Sequence, residues 1–305
     1  MKITIVDGYN TNPGDLSWSP ISALGDLTAF DNMSEEDTPK LAFDAEVIVS
    51  ADIPFTRKTL AALPNLKLLA LLSTGYSHVN LTAAREFGIA VCNAPEYSTD
   101  AVAQHTIALL LELTNQVGLH NHAVQDGYYT DYSHTCFILK PMHLLAGKTL
   151  GIIGYGNIGR RVGAIAKALG MTVIPYSKDP DGAVAADVVS LHSPLTDKNR
   201  LMVNTDFIKK MKDGALLLNT ARGGLIDEFA LADALKSGKL SGAGLDVLTV
   251  EPPRKEDANP LFGIENCFIT PHHAWMPIET RALLIQTAAN GIGSFQQGGR
   301  LNRVD

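Results

Sequence analysis

The sequence predicts an α/β protein built as two doubly wound parallel-sheet domains, and three observations carry that expectation. Short apolar runs alternate with longer helical stretches from one end of the 305 residues to the other, a repetition that builds a parallel sheet with helices on both faces. The length suits about two domains. One polar, aromatic stretch at 115–141 stands between two such series.

In chain order, 2–7, 46–50 and 66–72 read as strands, with a short helix at 56–62 closed by Pro64. Residues 81–87 are amphipathic and stop at Gly88, a left-handed cap, before a strand at 89–92. Residues 98–113 form one long helical pattern, capped by Ser98 or Thr99. The stretch 115–141 shows no clear strand, which suits a functional cover or an oligomer arm. A second strand–helix series runs from Lys148 to about Ile269, and 278–295 is again helical. The expected domains are 1–98 with 273–305, and 99–272.

Composition narrows the function. Lys and Arg number 25 against 32 Asp and Glu, a net charge of −7, which argues against a nucleic-acid partner. No apolar run is longer than five residues, the length of Leu68 to Leu72, far short of the roughly 20 that span a bilayer. The opening MKITIVDGYN is not the pattern of a secretory leader. Cys92, Cys136 and Cys267 are an odd number without C-x-x-C spacing, so neither disulfides nor a thiolate metal site is expected. The expectation is a cytoplasmic protein.

The strongest local signal is GYGNIG at 154–159, entered from the strand TLGII and followed by a helical pattern to about Leu169. Alone the spacing is weak, but between strand and helix it has the context its mechanism requires. Gly154 allows the tight turn, Gly156 lets backbone approach a pyrophosphate, and Gly159 lets helix and strand pack. The helix N-terminus then offers free N–H groups to phosphate. The next strand ends in Ser177-Lys178-Asp179. Ser177 lacks the carboxylate that holds a ribose in NAD sites, and Lys178 is a cation for a 2′-phosphate, which tilts the expectation toward NADP over NAD. Lys178 pointing to solvent, with Asp179 reaching a ribose, is the alternative.

Farther on, LLLNTARGG (216–224), AGLDV (243–247), EPP (251–253) and ITPHHAW (269–275) each empty an apolar strand into polar residues. Strand ends of this kind border one crevice. Arg, Glu and His there suit redox chemistry on a carbonyl acid: Arg grips a carboxylate bidentately, and His passes the proton that accompanies a hydride.

With STGYSHVN (73–80), YSTDAVAQHTIALLLEL (97–113) and LAGKTLGIIGYGNIGR (145–160) added, the chain resembles the D-isomer-specific 2-hydroxyacid dehydrogenase family over almost its whole length, on the hydroxypyruvate reductase, or glycerate dehydrogenase, branch. The resemblance implies a Rossmann NAD(P) domain inserted in a flavodoxin-like substrate domain. It implies a small 2-oxo or 2-hydroxy acid as substrate. By it, Arg222 binds the substrate carboxylate and carbonyl, His272 is the acid/base and Glu251 its partner. Asp246 takes the nicotinamide carboxamide, with Thr220 and Ala221 nearby. Asn157 and Ile158 face the pyrophosphate, and Ser193, Pro194 and Asn199 the adenosine side. Backbone N–H groups of Thr74, Gly75 and Tyr76 hold the carboxylate, and the segment near 114–146 is a homodimer arm. No metal is implied. Oxidation of formate or phosphite, and dinucleotide sensing without turnover, are the rival functions.

The resemblance is imperfect at three places. Only eight residues separate Lys178 from Asp187, where the family has a further strand and helix. In the loop 50–55, Ala51-Asp52-Ile53 puts a carboxylate where the branch carries a cation. Ile138 stands where close relatives carry Trp. His78 and Tyr76, beside the substrate loop, serve either packing or contact. His120 and His122 read as surface residues, His273 as a neighbour of the catalytic histidine, and Asp7 as structural.

Overall fold

Strands buried at every position, such as Leu68–Leu71 and Val188–Leu191, require cover on both faces of a sheet. The computed structural model, which describes residues 1–305 except Asp257, supplies that cover twice. In the first unit, Met1–Ser98 and Trp275–Asp305, the chain runs β1 (Lys2–Ile5), α1 (Ser19–Ser22), β2 (Asp26–Ala29), α2 (Thr38–Leu41), β3 (Val47–Ser50), α3 (Arg57–Ala61), β4 (Leu68–Leu71), α4 (Leu81–Glu86) and β5 (Ala90–Cys92). All strands are parallel, in the order β2-β1-β3-β4-β5, which is flavodoxin-like. The short helices start where their caps dictate: Thr56 accepts from the Thr59 N–H at 3.3 Å, and Asn80 from the Ala83 N–H at 2.9 Å. One face is filled by Ile48, Phe55, Leu60, Leu69, Ala83 and Val91.

The second unit is Thr99–Ala274. It opens with α5 (Thr99–Asn115) and α6 (Val117–Gln125). A sheet follows: β6 (Thr149–Ile153), α7 (Asn157–Ala168), β7 (Thr172–Pro175), α8 (Pro180–Val184), β8 (Val188–Leu191), α9 (Thr205–Lys210), β9 (Ala215–Asn219), α10 (Glu228–Lys236), β10 (Leu240–Leu245) and β11 (Cys267–Ile269). Its parallel order is β11-β10-β9-β8-β6-β7. On one face Ile107 and Leu110 of α5 and Val162 and Ala166 of α7 pack on Leu150, Ile152 and Leu218. On the other, Ile208, Leu231 and Leu235 pack on Val189, Leu217 and Leu245. The chain then returns to the first unit as α11 (Ile278–Gln296), whose Leu284, Ile285, Ala288 and Ile292 join Ile3, Val49 and Ala70 on that sheet's other face. The fold is thus two parallel-sheet α/β units. Among the described residues no helix is long and apolar enough to cross a membrane.

Two details differ from expectation, each for a physical reason, and a third matches the short segment after Lys178. The first strand stops at Ile5, and Asp7 beyond it turns its carboxylate to the loop after β3. The edge strand β2 has no apolar run to betray it, because three of its four residues are exposed. A Rossmann sheet of order 3-2-1-4-5-6 has a strand outside the position of β7, but here β7 is the edge. The five residues of α8 make the crossover, packed so closely that a Cβ on Gly151 would lie 1.9 Å from the Ala183 carbonyl oxygen. The corner is shortened and closed.

Candidate active site

The switch point of the second sheet lies between β6 and β8, and the glycine motif sits on it. Gly154, at φ +95°, leaves no room for a side chain: a Cβ there would be 2.4 Å from the Ser193 nitrogen. At Gly159 a Cβ would stand 2.2 Å from the Gly154 carbonyl oxygen. Gly156 is different, with nothing within 4 Å of its would-be Cβ. The packing of the chain therefore does not itself require glycine at this position. Asn157 and Ile158 open the twelve-residue α7 there, and the Asn157 side chain is held by the Arg160 guanidinium. Beside them Ser193 Oγ and His192 Nδ1 are buried with no partner; burial pushes the His192 imidazole down to about 4, so it is neutral. An open glycine at a helix N-terminus and two unmet polar atoms fit a dinucleotide pyrophosphate and its adenosine side.

Other predicted contacts are spent within the chain. Asn199 accepts from the Thr196 N–H at 2.6 Å and donates to the Pro194 carbonyl at 2.8 Å, so it shapes its own turn. Thr220 is buried, its hydroxyl 2.8 Å from that of Thr106. Ser177 and Lys178 are exposed, whereas Asp179 caps α8 by accepting from the Gly182 N–H at 2.9 Å.

Three strand ends of the second unit bring the chemistry together. At the end of β9, the fully buried Asn219 accepts from the Ala221 N–H at 3.0 Å and donates to the Arg222 carbonyl at 2.9 Å. The Arg222 guanidinium is exposed, touching the Ala221 carbonyl at 2.6 Å. Glu251 divides its carboxylate: Oε1 accepts from the Leu248 N–H at 2.7 Å, and Oε2 lies 2.8 Å from His272 Nδ1. The Glu251 hydrogen bond holds the His272 imidazole above its ordinary range, against burial. Burial pushes Glu251 up, but His272, the Leu248 N–H and Arg222 outweigh it and hold the carboxyl below the usual range.

Asp246, at the end of β10, builds the turn that carries His272. It is 1% exposed. Its carboxylate accepts from the Thr270 hydroxyl at 2.6 Å and from the N–H groups of His273 and Ala274, both at 3.0 Å. Its carbonyl accepts from the His272 N–H at 2.8 Å. His272 sits at φ +52°, a strained conformation worth about 1 kcal/mol or more that these bonds offset. His105 Nε2 on α5 lies 3.0 Å from the Thr270 hydroxyl. His105, Asp246 and His273 place three ligand atoms within 4.8 Å of one another, and the hydrogen bonds account for that grouping. His273 and Ala274 fall with the second unit because Asp246 holds both.

Sequence reasoning named neither Asn219 nor His105. Asn219 had a visible signal, a polar residue closing an apolar strand directly before Thr-Ala-Arg; His105 had none, since helix periodicity does not show what a partly buried His faces.

In the first unit, Thr74, Gly75 and Tyr76 follow β4. The Ser73 hydroxyl donates to the Gly75 carbonyl at 2.7 Å, Thr74 to the Ala94 carbonyl at 2.8 Å, and Asn93 to the Thr74 carbonyl at 2.8 Å. The carbonyls are thereby occupied. Tyr76 is exposed.

Comparison with known proteins agrees with this geometry. Residues 107–274 match the family model for the D-isomer specific 2-hydroxyacid dehydrogenase NAD binding domain. The chain is 41% identical to a hydroxypyruvate reductase of Blautia hydrogenotrophica, over 100% of both chains. It is 38% identical to a glycerate dehydrogenase of Methylorubrum extorquens, over 86% of each. It superposes with a TM-score of 0.86 and 30% identity, over 100% of both chains, on an acyclic imino acid reductase (Bsp5) solved with NADPH and D-Arg. With the matched domain carrying the glycine motif and the Arg–Glu–His group, the chain belongs to the D-isomer specific 2-hydroxyacid dehydrogenase family, oxidoreductases that exchange a hydride between NAD(P) and a 2-oxo or 2-hydroxy acid.

Proposed function

We propose that this chain reduces a small 2-oxo acid of the hydroxypyruvate or glyoxylate class to its D-2-hydroxy acid, with His272 as proton donor. The observation that carries the reading is the 2.8 Å pair of His272 Nδ1 and Glu251 Oε2. Because Nδ1 is taken, Nε2 is the atom left to face substrate, and the carboxylate keeps the ring charged for donation. Arg222 holds the substrate carboxylate and polarises the carbonyl. Asp246 places the turn that carries His272. The nicotinamide, when bound, supplies the hydride, and the ketone is reduced to the alcohol as His272 gives its proton. A dinucleotide sensor has no use for an acid/base pair, and formate and phosphite offer no ketone to polarise.

NADPH is favoured modestly over NADH. Ser177 brings no carboxylate against a 2′-phosphate, Asp179 is engaged at its own helix, and Lys178 is exposed beside them. An exposed pair contributes about 0–1 kcal/mol, so dual use is expected. Steady-state reduction of glyoxylate, hydroxypyruvate and pyruvate with each nucleotide tests both statements. Turnover of none of the three overturns the function. An NADH preference of about tenfold (1.4 kcal/mol) or more overturns the cofactor reading. Ser177→Asp turns the preference toward NADH.

The segment after α5 is the dimer arm of a cytoplasmic enzyme. Its helix α6 buries no residue, and Val117, Val124, Tyr128, Ile138, Met142 and Leu144 are exposed, a concentration of exposed apolar side chains that suits a partner surface. The free cysteines suit a reducing compartment. Sedimentation equilibrium is expected to give twice the chain mass, and a lower mass after Ile138→Asp and Leu144→Asp; a wild-type monomer overturns the arm.

A further inference from the structure

We infer that Asp52 is a specificity residue of the substrate site, selecting 2-oxo acids whose C3 substituent is a hydrogen-bond donor or cation and rejecting those that carry an anion there. The inference rests on the 2-oxo acid reading above and names the substrate class within it.

The sheet of the first unit runs β2-β1-β3-β4-β5, so its topological switch point lies between β1 and β3. Open parallel sheets bind ligands outside the carboxyl ends of their strands at such a point. Asp7 follows β1 there, and Ala51-Asp52-Ile53 follows β3. Asp7 accepts from three successive N–H groups of that loop, Ala51 at 2.8 Å, Asp52 at 2.8 Å and Ile53 at 3.2 Å, and from the Ser50 hydroxyl at 3.1 Å. Successive N–H groups of this kind make an anion-binding concavity, and the chain has filled it with its own carboxylate. None of the three is left for an anionic substituent. Ala51 and Ile53 are buried while Asp52 between them is exposed, so the loop is fixed and its free group is a carboxylate.

That loop is knitted to the one expected to seat the substrate. The Phe55 N–H donates to the His78 carbonyl at 2.9 Å and the Asn80 N–H to the Phe55 carbonyl at 2.9 Å, which joins the end of that loop to 78–80, the segment that follows the Thr74–Gly75–Tyr76 turn. Among the described residues Asp52 forms no ion pair. His78 feels the charges of both Asp52 and Asp7, yet burial pushes its imidazole down and leaves it neutral, with Nε2 buried and unpartnered. Arg57, the next cation along the chain, is paired with Glu86 at 2.5 Å and stacked over Phe87. A fixed carboxylate without a counter-charge discriminates chiefly by repulsion.

The test compares oxaloacetate, which bears a carboxylate at C3, with hydroxypyruvate and glyoxylate in wild type, Asp52→Asn and Asp52→Lys. Wild type is expected to favour hydroxypyruvate over oxaloacetate by about tenfold or more in kcat/KM, and the oxaloacetate-to-glyoxylate ratio to rise by about threefold or more in Asp52→Asn and further in Asp52→Lys. The isosteric Asn variant keeps the test open should the Lys variant lose activity. Reduction of glyoxylate with that ratio moved by less than about threefold in every active variant overturns the role of Asp52 alone. Failure of wild type to reduce any of the three acids overturns the reading beneath it as well.

Discussion

His272→Ala is expected to lower kcat for 2-oxo acid reduction by about 10²–10⁴-fold, the usual contribution of a positioned acid, while dinucleotide binding survives. The separation follows from placement. His272 stands after β11, whereas the glycine motif stands at the switch between β6 and β8. Its ring binds Glu251 and none of the groups around Gly156. Steady-state rates with nucleotide titration by fluorescence check both halves. A variant that keeps near-normal kcat at neutral pH overturns the assignment. Loss of nucleotide binding along with kcat points instead to a collapsed turn. Asp246 guards against that collapse, since it holds the backbone of 272–274 and the Thr270 hydroxyl and does not touch the imidazole.

Much of this was legible before any coordinates, for reasons that differ from residue to residue. The glycines of 154–159 announce themselves because each answers a steric demand that only glycine meets, or in the case of Gly156 leaves open. Buried parallel strands such as Leu68–Leu71 show as unbroken apolar runs, so the fold class could be read directly. The edge strand Asp26–Ala29 could not, because one covered residue leaves no pattern. Arg222, Glu251 and His272 are far apart in sequence; the rule that such strand ends border one crevice brought them together, and the resemblance gave each its role, since periodicity carries nothing about which strand ends meet. The same limit hid part of the support around them. His105 acts through a side-chain bond to Thr270, 165 residues on, and a bond between distant residues has no signature in either neighbourhood, whereas Asn219 bonds locally to Ala221 and Arg222 and shows as a polar residue closing an apolar strand. Asp7, read as structural, does organise a loop, but its three N–H partners lie more than forty residues away.

Glu251→Gln is expected to move the alkaline limb of reduction to lower pH. Donation requires protonated His272, so kcat/KM for reduction falls as pH rises through the imidazole's pKa. The Glu251 hydrogen bond is the largest influence raising that pKa; burial opposes it, the Glu251 and Asp246 charges add to it, and Arg222 subtracts. Removing the carboxylate charge leaves burial and Arg222 against Asp246 alone, so the proton is lost earlier in a titration. In the oxidative direction the neutral ring is the base, and the same change starts activity at lower pH. The two limbs therefore shift together, a signature that simple misfolding does not give. Gln retains an oxygen for the Leu248 N–H, which keeps the loop while removing the charge. Hydrogen bonds to charged groups are worth about 1.5–3 kcal/mol, and the partly exposed pair belongs at the low end. Reduction above the shifted limb should accordingly fall by about tenfold. Parallel pH profiles of both directions check this, and limbs that stay where wild type has them would mean that Glu251 only braces the loop.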